Sequence, residues 1–162
     1  MRFFGSSASM GRSRILPATA LDTNVLIAGL LSWHQHHAAA SAALSELLES
    51  RASVVLPAHA LVEAYAVMTR IPPPHRLSAK NAFEILDASL RSRCVLVSLE
   101  GSEAWDLIDE LSRRPITGGS SYDALILACA RKGGARRILT FNRVHFERLG
   151  AEDIEVVVPG SE

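Results

Sequence analysis

Residues 15–27 read ILPATALDTNVLI, an apolar, β-rich run that reaches Asp22 and then passes into a second apolar segment. Such a run is typical of a strand, and Asp22 stands at its end. A carboxylate carried by an apolar segment must find a partner or lose its charge, because an unpaired buried charge is costly. Asp22 is therefore a candidate functional residue, although an Asx turn leaving the strand would also explain it.

Two further carboxylates have apolar neighbours: Glu63 in LVEAYAV (61–67) and Asp123 in YDALILA (122–128). No Lys or Arg is close in sequence to any of the three acids. We hypothesise that they converge on a hard divalent cation. Each also has a structural explanation, since Glu63 would fit an exposed helical stripe, and Asp123, three residues after Ser120, would fit a helix cap.

The composition indicates one globular domain. The chain has 162 residues, of which 48% are hydrophobic, and its formal net charge is zero. This length supports a real core, the composition excludes a disordered chain, and the charge gives no whole-chain sign of nucleic-acid binding. The two cysteines have no zinc or disulfide spacing, and no apolar stretch is long enough to span a membrane.

The N-terminal residues read differently from the rest. Residues 1–14 are rich in Ser and Gly and lack the apolar region of a secretory signal. We interpret them as a disordered extension ahead of a single domain over residues 15–162, and we expect a cytoplasmic protein.

Short β-rich runs alternate with helical segments, which predicts an α/β fold with a parallel sheet covered on both faces. We expect the nearly wholly apolar helix over residues 58–70 to be buried, and Phe83 to face inward from the next helix. The predicted strands are 15–21, 53–56, 94–98, 137–141 and 154–158, and the predicted helices are 36–50, 58–70, 78–90, 102–112 and 121–132.

Parallel sheets bind ligands beyond the carboxyl ends of their strands. Asp22 follows the first predicted strand, Asn142 follows the fourth, and Asp123 begins a helix, so these side chains can meet around one crevice. Mg²⁺ and Mn²⁺ prefer oxygen ligands and retain water, so an ion held there would suit hydrolysis of a phosphodiester.

The balance of charge is uneven near the C-terminus. Between residues 131 and 148, six basic residues stand against the single acid Glu147: Arg131, Lys132, Arg136, Arg137, Arg143 and Arg148. A solvated charged face is one explanation. The alternative is a phosphate-binding patch, in which Arg136, Arg137 and Arg143 would contact RNA.

Four ordered motifs give the chain a specific resemblance. Residues 21–27 (LDTNVLI), Glu63 in its helix, residues 121–126 (SYDALI) and residues 139–142 (LTFN) followed by His145-Phe146 resemble the motifs of PIN-domain ribonucleases. Their order and spacing match over roughly residues 17–159. The nearest branch resembles the VapC toxins of bacterial toxin–antitoxin pairs.

This resemblance implies a five-stranded parallel sheet and a Mg²⁺-dependent endoribonuclease. Asp22, Glu63 and Asp123 would be the metal ligands. The catalytic residues would be these three acids and Asn142. The supporting residues would be Thr23, Asn24 and Thr140. A VapB-like antitoxin and a homodimer are the implied partners. Many PIN domains have Asp where this chain has Asn142, so the resemblance leaves open whether one or two ions are held.

Other functions fit parts of the pattern. A housekeeping PIN nuclease would use the same residues. A receiver or phosphatase with Asp22 as phospho-acceptor lacks an Asp-x-Asp pair, because position 24 is Asn. A catalytically silent RNA- or protein-binding module would not need Asp22, Glu63 and Asp123, so the presence of all three acids argues against it.

Overall fold

The structure, a computed structural model, describes residues 16–161. The extension predicted over residues 1–14 lies outside the described residues. The strands are β1 (Thr19–Leu21), β2 (Val54–Pro57), β3 (Val95–Val97), β4 (Arg137–Leu139) and β5 (Glu155–Val157). The helices are α1 (Thr23–Leu30), α2 (His37–Glu49), α3 (Ala58–Arg70), α4 (Ala79–Leu90), α5 (Gly101–Arg113), α6 (Ser120–Lys132) and α7 (Arg143–Arg148).

The five strands form one parallel sheet in the order β3-β2-β1-β4-β5. Thr19 of β1 aligns with Val54 of β2 on one side and with Arg137 of β4 on the other. The central strands therefore end at the same edge. The predicted five-stranded parallel α/β architecture is confirmed.

Two helices of the structure were not predicted from the sequence. The apolar run that follows Asp22 forms α1, and the six residues that follow Asn142 form α7. The side chain of Asp22 starts α1 by accepting a hydrogen bond from the backbone N–H of Thr23, with Oδ1 and N 2.7 Å apart. Helix α1 was missed because a short apolar run does not distinguish a buried helix from a strand by periodicity alone.

The expected burial of α3 is wrong. Only Ala60, Ala64 and Met68 are buried, whereas Val62 and Tyr65 are exposed. Helix α3 contacts the sheet, α1 and α4 on one side, and a helix packed on one side buries one stripe whatever the composition of the others.

The prediction for α4 is partly wrong as well. Ser78 caps it as predicted, accepting a hydrogen bond from the Asn81 N–H. Ala82, Leu86 and Leu90 are buried, but Phe83 is 53% exposed rather than inward-facing. Phe83 instead borders an apolar groove between α3, α4 and β3.

The core lies on both faces of the sheet. Strand β1 is wholly buried, and Val25 and Leu26 of α1 and Ile126 and Leu127 of α6 pack into the same cluster. None of the helices in the described part of the chain has the length and apolar character needed to cross a bilayer. The edge at which β1, β2 and β4 end carries polar residues, among them Asp22 and Asn142.

Candidate active site

Asp22 lies at the carboxyl end of β1, the central strand, and is only 3% exposed. Its Oδ1 accepts a hydrogen bond from the Thr23 N–H at 2.7 Å, and its Oδ2 accepts one from the Thr140 hydroxyl at 2.6 Å. Within residues 16–161, no Lys, Arg or His forms an ion pair with it. Asp22 is thus held in place by neutral donors only.

The surroundings of Asp22 oppose its charge. The pKa of its carboxyl is raised from 3.8 to about 6, because burial and the negative charges of Asp123 and Glu63 together outweigh the hydrogen bonds from Thr140 and Thr23. A buried carboxylate with a raised pKa in a cleft is a hallmark of functional sites. A divalent cation placed among these groups would reverse the balance and favour the charged form.

Glu63 reaches the same place from α3, which begins directly after β2. Its Oε2 accepts a hydrogen bond from the Thr23 hydroxyl at 2.7 Å, and His59 Nε2 lies 3.6 Å from the same oxygen. The Glu63 side chain is 43% exposed, so the exposed-stripe interpretation is right about solvent access. The same stripe nevertheless faces the cavity that contains Asp22.

Asp123 arrives from the first turn of α6. Its Oδ2 lies 3.1 Å from Nδ1 of His145, a residue of α7, and its side chain is 18% exposed. The alternative of a cap at Ser120 is not found, because α6 starts without a side-chain cap hydrogen bond. Of the three acids, Asp22 alone is buried.

An open cavity of about 380 Å³ joins these groups. Asp22, Glu63, Asp123 and Asn142 all line it, as do Thr23 and Asn24. The four residues predicted to be catalytic are thereby brought together from four separate segments of the chain. Their roles in catalysis stay a prediction.

Hydrogen bonds of Thr140 and Asn24 link the end of β4 to the end of β1. The Thr140 hydroxyl accepts a hydrogen bond from the Asn142 N–H at 2.9 Å while it donates to Asp22. Asn24 Oδ1 accepts from the Phe141 N–H at 3.2 Å. The supporting positions expected for Thr140 and Asn24 therefore correspond to contacts that tie the β4 end to the β1 end.

The donor set suits a hard cation. The cavity offers three carboxylates without a basic partner for Asp22, and oxygen ligands are what Mg²⁺ and Mn²⁺ prefer. As the side chains stand, no three His, Cys, Asp or Glu residues between 16 and 161 are close enough together to enclose one ion. Because Mg²⁺ usually retains several waters, bridging water suits this spacing better than direct contact with every carboxylate.

The basic residues divide between two ends of the sheet. Arg143 begins α7, directly after Asn142, and so stands beside the cavity. Arg136 and Arg137 lie at the amino end of β4, opposite the edge that carries the acids. Arg137 also pairs with Glu155, at 3.2 Å between Nε and Oε2. Arg143 thus adjoins the lining residue Asn142, whereas Arg136 and Arg137 stand at the other end of the strand, and an RNA contact by any of the three stays a prediction.

Aromatic residues at the cavity were not expected from the sequence. His34, His36 and Phe141 line it. On α3 and α6, the His59 and Tyr122 rings stack in parallel with centroids 5.0 Å apart. Nothing in the sequence spacing of His34 and His36 points to the site, because the loop between α1 and α2 is placed there only by the fold.

Comparisons with known proteins agree with this architecture. The family model described as the PIN domain matches residues 19–152. Ribonuclease VapC40 of Mycobacterium tuberculosis (strain ATCC 25618 / H37Rv) is 39% identical over 140 residues, which are 85% of this chain and 98% of that protein. Ribonuclease VapC27 of the same strain is 34% identical over 114 residues, 70% of this chain and 77% of the relative.

Solved structures with the same fold include toxins alone and in complexes. Mycobacterium tuberculosis VapC20, a Sarcin-Ricin loop cleaving toxin, superposes with a TM-score of 0.60 at 18% identity, over 75% of this chain and 87% of that one. VapBC2 from Rickettsia felis, bound to a DNA fragment from its promoter, gives 0.60 at 17% identity, over 87% and 98%. At these identities the likeness concerns the fold.

Proposed function

Since the chain belongs to the PIN domain family, we propose that it is a metal-dependent endoribonuclease of the VapC type that hydrolyses phosphodiester bonds in RNA. The observation that carries the proposal is the environment of Asp22: a buried carboxylate with a raised pKa, facing Glu63 and Asp123 across one open cavity. The sequence relatives named above as ribonucleases support the same reaction class.

Mg²⁺, or Mn²⁺ in its place, is the proposed cofactor, held by Asp22, Glu63 and Asp123 directly or through water. When bound, such an ion would activate a water and neutralise charge on the scissile phosphate. Asp22 would provide a fixed ligand, because two hydrogen bonds and close packing leave its carboxylate one orientation. Asn142 would orient water or substrate without adding charge, which favours a single tightly held ion.

A VapB-like antitoxin is the proposed protein partner. The neighbouring folds include the VapBC2 complex of Rickettsia felis and the VapBC-1 structure of nontypeable Haemophilus influenzae. This chain offers an apolar groove of about 410 Å³ that a hydrophobic antitoxin segment would fill. Its lining includes Leu61, Val62, Tyr65, Phe83, Leu86 and Leu96.

We also propose that the protein forms a homodimer and acts in the cytoplasm, where its RNA substrates are found. Light scattering on the purified chain measures the first directly. A monomer at micromolar concentration would contradict it.

The test of the nuclease is a cleavage assay on total RNA with Mg²⁺, Mn²⁺ or EDTA. Wild type should cut with either metal and stop in EDTA. Asp22→Asn, Glu63→Gln and Asp123→Asn should be inactive at wild-type folding, whereas Glu152→Gln, at an exposed acid on the loop before β5, should cut normally. Equal cleavage in EDTA and Mg²⁺ would reject metal dependence.

A housekeeping PIN nuclease would pass the same assay. The two differ in biology: a toxin should arrest growth when expressed alone and be neutralised by the product of a small adjacent reading frame. Loss of toxicity in Asp22→Asn would tie the arrest to cleavage. A catalytically silent binding module would instead bind RNA without cutting it under any metal.

A further inference from the structure

Five rings form a connected row along the rim of the acidic cavity. We call it the aromatic row, and it consists of His75, Trp33, His34, His36 and Phe141. Successive ring centroids lie 4.3, 5.9, 5.8 and 4.9 Å apart. The last three residues of the row line the cavity that contains Asp22, Glu63 and Asp123. The row therefore leads from solvent to the candidate active site.

The row is accessible rather than packed into the core. Trp33 is 43% exposed, and His36 and His75 are also exposed. Trp33 stacks on His75 with 24° between the planes, and His36 stacks on Phe141 with 26°. Each of these rings uses one face on its neighbour, and the exposure of Trp33, His36 and His75 leaves part of each of those three rings open to a ligand.

His34 connects the two stacked pairs. Its plane is tilted by 43° to Trp33 and by 45° to His36, so neither neighbour covers its faces. Its Nδ1 accepts a hydrogen bond from the His36 N–H at 3.1 Å, which fixes the ring. His34 is thus held in a fixed position between the two stacked pairs.

Flat rings with polar edges are suited to nucleobases. Successive unpaired bases stack on aromatic side chains, including His and Trp, whereas bases inside a duplex already cover their faces with neighbours. An apolar protein segment would prefer the groove between α3 and α4, which is lined mainly by aliphatic side chains. Arg76, exposed and adjacent to His75, adds a positive charge at the outer end of the row.

We propose that the aromatic row is a base-stacking track, which holds unpaired nucleotides beside the bond to be cut and so positions the RNA on the acidic cavity. This inference rests on the proposed nuclease function for its biological meaning. Binding of RNA by the row is nevertheless measurable without cleavage. Trp33 provides the largest stacking surface, because it has the largest ring in the row.

The chain allows a direct optical test, because its only tryptophans are Trp33 and Trp105. In the full chain carrying Asp22→Asn and Trp105→Phe, with Mg²⁺ present, fluorescence reports Trp33 and the RNA is not consumed. A short unpaired RNA should quench this fluorescence on binding. The same RNA annealed to its complement, or with abasic sites in place of its bases, should quench far less at equal phosphate charge.

Variants then separate stacking from folding. Trp33→Ala should weaken binding of unpaired RNA by about five- to hundredfold, the range for loss of one stacked base, and Trp33→Phe should retain most of the affinity. Trp105→Ala, at a 76% exposed tryptophan on α5, should bind as wild type. If Trp33→Ala proves unstable on heating, His36→Ala provides the same test from the inner pair.

The results distinguish the two proposals. Trp33→Ala binding unpaired RNA as well as wild type, or equal quenching by duplex and abasic RNA, would overturn the track. Weaker antitoxin binding by Trp33→Ala, with RNA binding unchanged, would also overturn it, because the row would then be a protein interface. Base-dependent quenching by a protein that never cleaves RNA would instead reject the nuclease and leave the track.

Discussion

The hydroxyl of Thr140 donates a hydrogen bond to the carboxylate of Asp22, with Oγ1 and Oδ2 2.6 Å apart although the residues are 118 positions apart in sequence. Thr140 is fully buried at the end of β4, and Asp22 stands at the end of the neighbouring β1. The same hydroxyl accepts from the Asn142 N–H. One side chain thus fixes the most buried of the three acids and the residue that precedes α7.

Thr140→Val tests this arrangement, because valine has nearly the same shape but no hydroxyl. The change should remove a donor that lowers the Asp22 pKa and leave the Asn142 N–H without its partner, at a cost of about 1–3 kcal/mol in stability. Cleavage should fall as well. Urea unfolding and cleavage rates measure both effects.

The control for that variant is Thr19→Val. Thr19 is also buried, but its hydroxyl bonds Pro17 O, away from the cavity. Thr19→Val should therefore destabilise the protein without a specific loss of cleavage. Equal losses of activity in both variants would mean that Thr140 acts only through stability.

Asp22→Asn should stabilise the metal-free protein at neutral pH. The folded-state pKa of about 6 exceeds the ordinary 3.8, so the folded state binds more protons and wild-type stability falls as pH rises through that window. The penalty amounts to on the order of 3 kcal/mol above pH 7 and disappears near pH 4. The Asp22→Asn variant lacks this penalty, because an amide does not ionise.

Urea unfolding in EDTA at pH 4.5 and 7.5 measures this difference. The gain from Asp22→Asn should be large at pH 7.5 and small at pH 4.5, and Glu152→Gln should give none at either. A gain of the same size at both pH values would show that the Asp22 charge is not its cause.

Mg²⁺ should raise the melting temperature of wild type, because an ion that binds only the folded state stabilises it. At a hundredfold excess over the dissociation constant the gain is about 2.7 kcal/mol, or several degrees for a chain of this size. Asp22→Asn should lose most of the shift. NaCl of equal ionic strength is the control, and an equal shift with NaCl would indicate charge screening instead.

Arg143→Ala should weaken RNA binding and reduce the dependence of log K on log salt by about one. Arg143 stands beside the cavity, whereas Arg136 lies at the opposite end of β4. Arg136→Ala is thus the matched comparison, and it should leave the slope unchanged if the phosphates of the RNA are contacted only at the edge that carries the acids. A slope altered by Arg136→Ala alone would place the phosphate path at the amino edge of the sheet.

Gly133→Ala should destabilise the fold by about 1–3 kcal/mol through overpacking. A Cβ at position 133 would lie 2.6 Å from Cγ1 of Val55, a buried residue of β2, so the end of α6 approaches the sheet too closely for any side chain. Gly119→Ala, where a Cβ meets nothing within 4 Å, is the control. Thermal melting of the two variants checks the difference.

The sequence determined the alternation of strands and helices, and hence the parallel sheet, because hydrophobic periodicity and local breakers such as Pro57 and Gly133 act over a few residues. It also identified Asp22, since a carboxylate between apolar neighbours is conspicuous without coordinates. The order of the motifs was enough to suggest the family that the comparisons establish.

The tertiary structure alone decided which side chains share the cavity and which apolar residues stay exposed. Phe83 faces a groove and His34 lines the cavity because packing among distant elements places them there, and no local pattern encodes that placement. Arg136 and Arg143 are close in sequence but stand at opposite ends of β4, because a strand carries the chain from one edge of the sheet to the other. Local chemistry therefore specified the elements, and long-range packing specified the site.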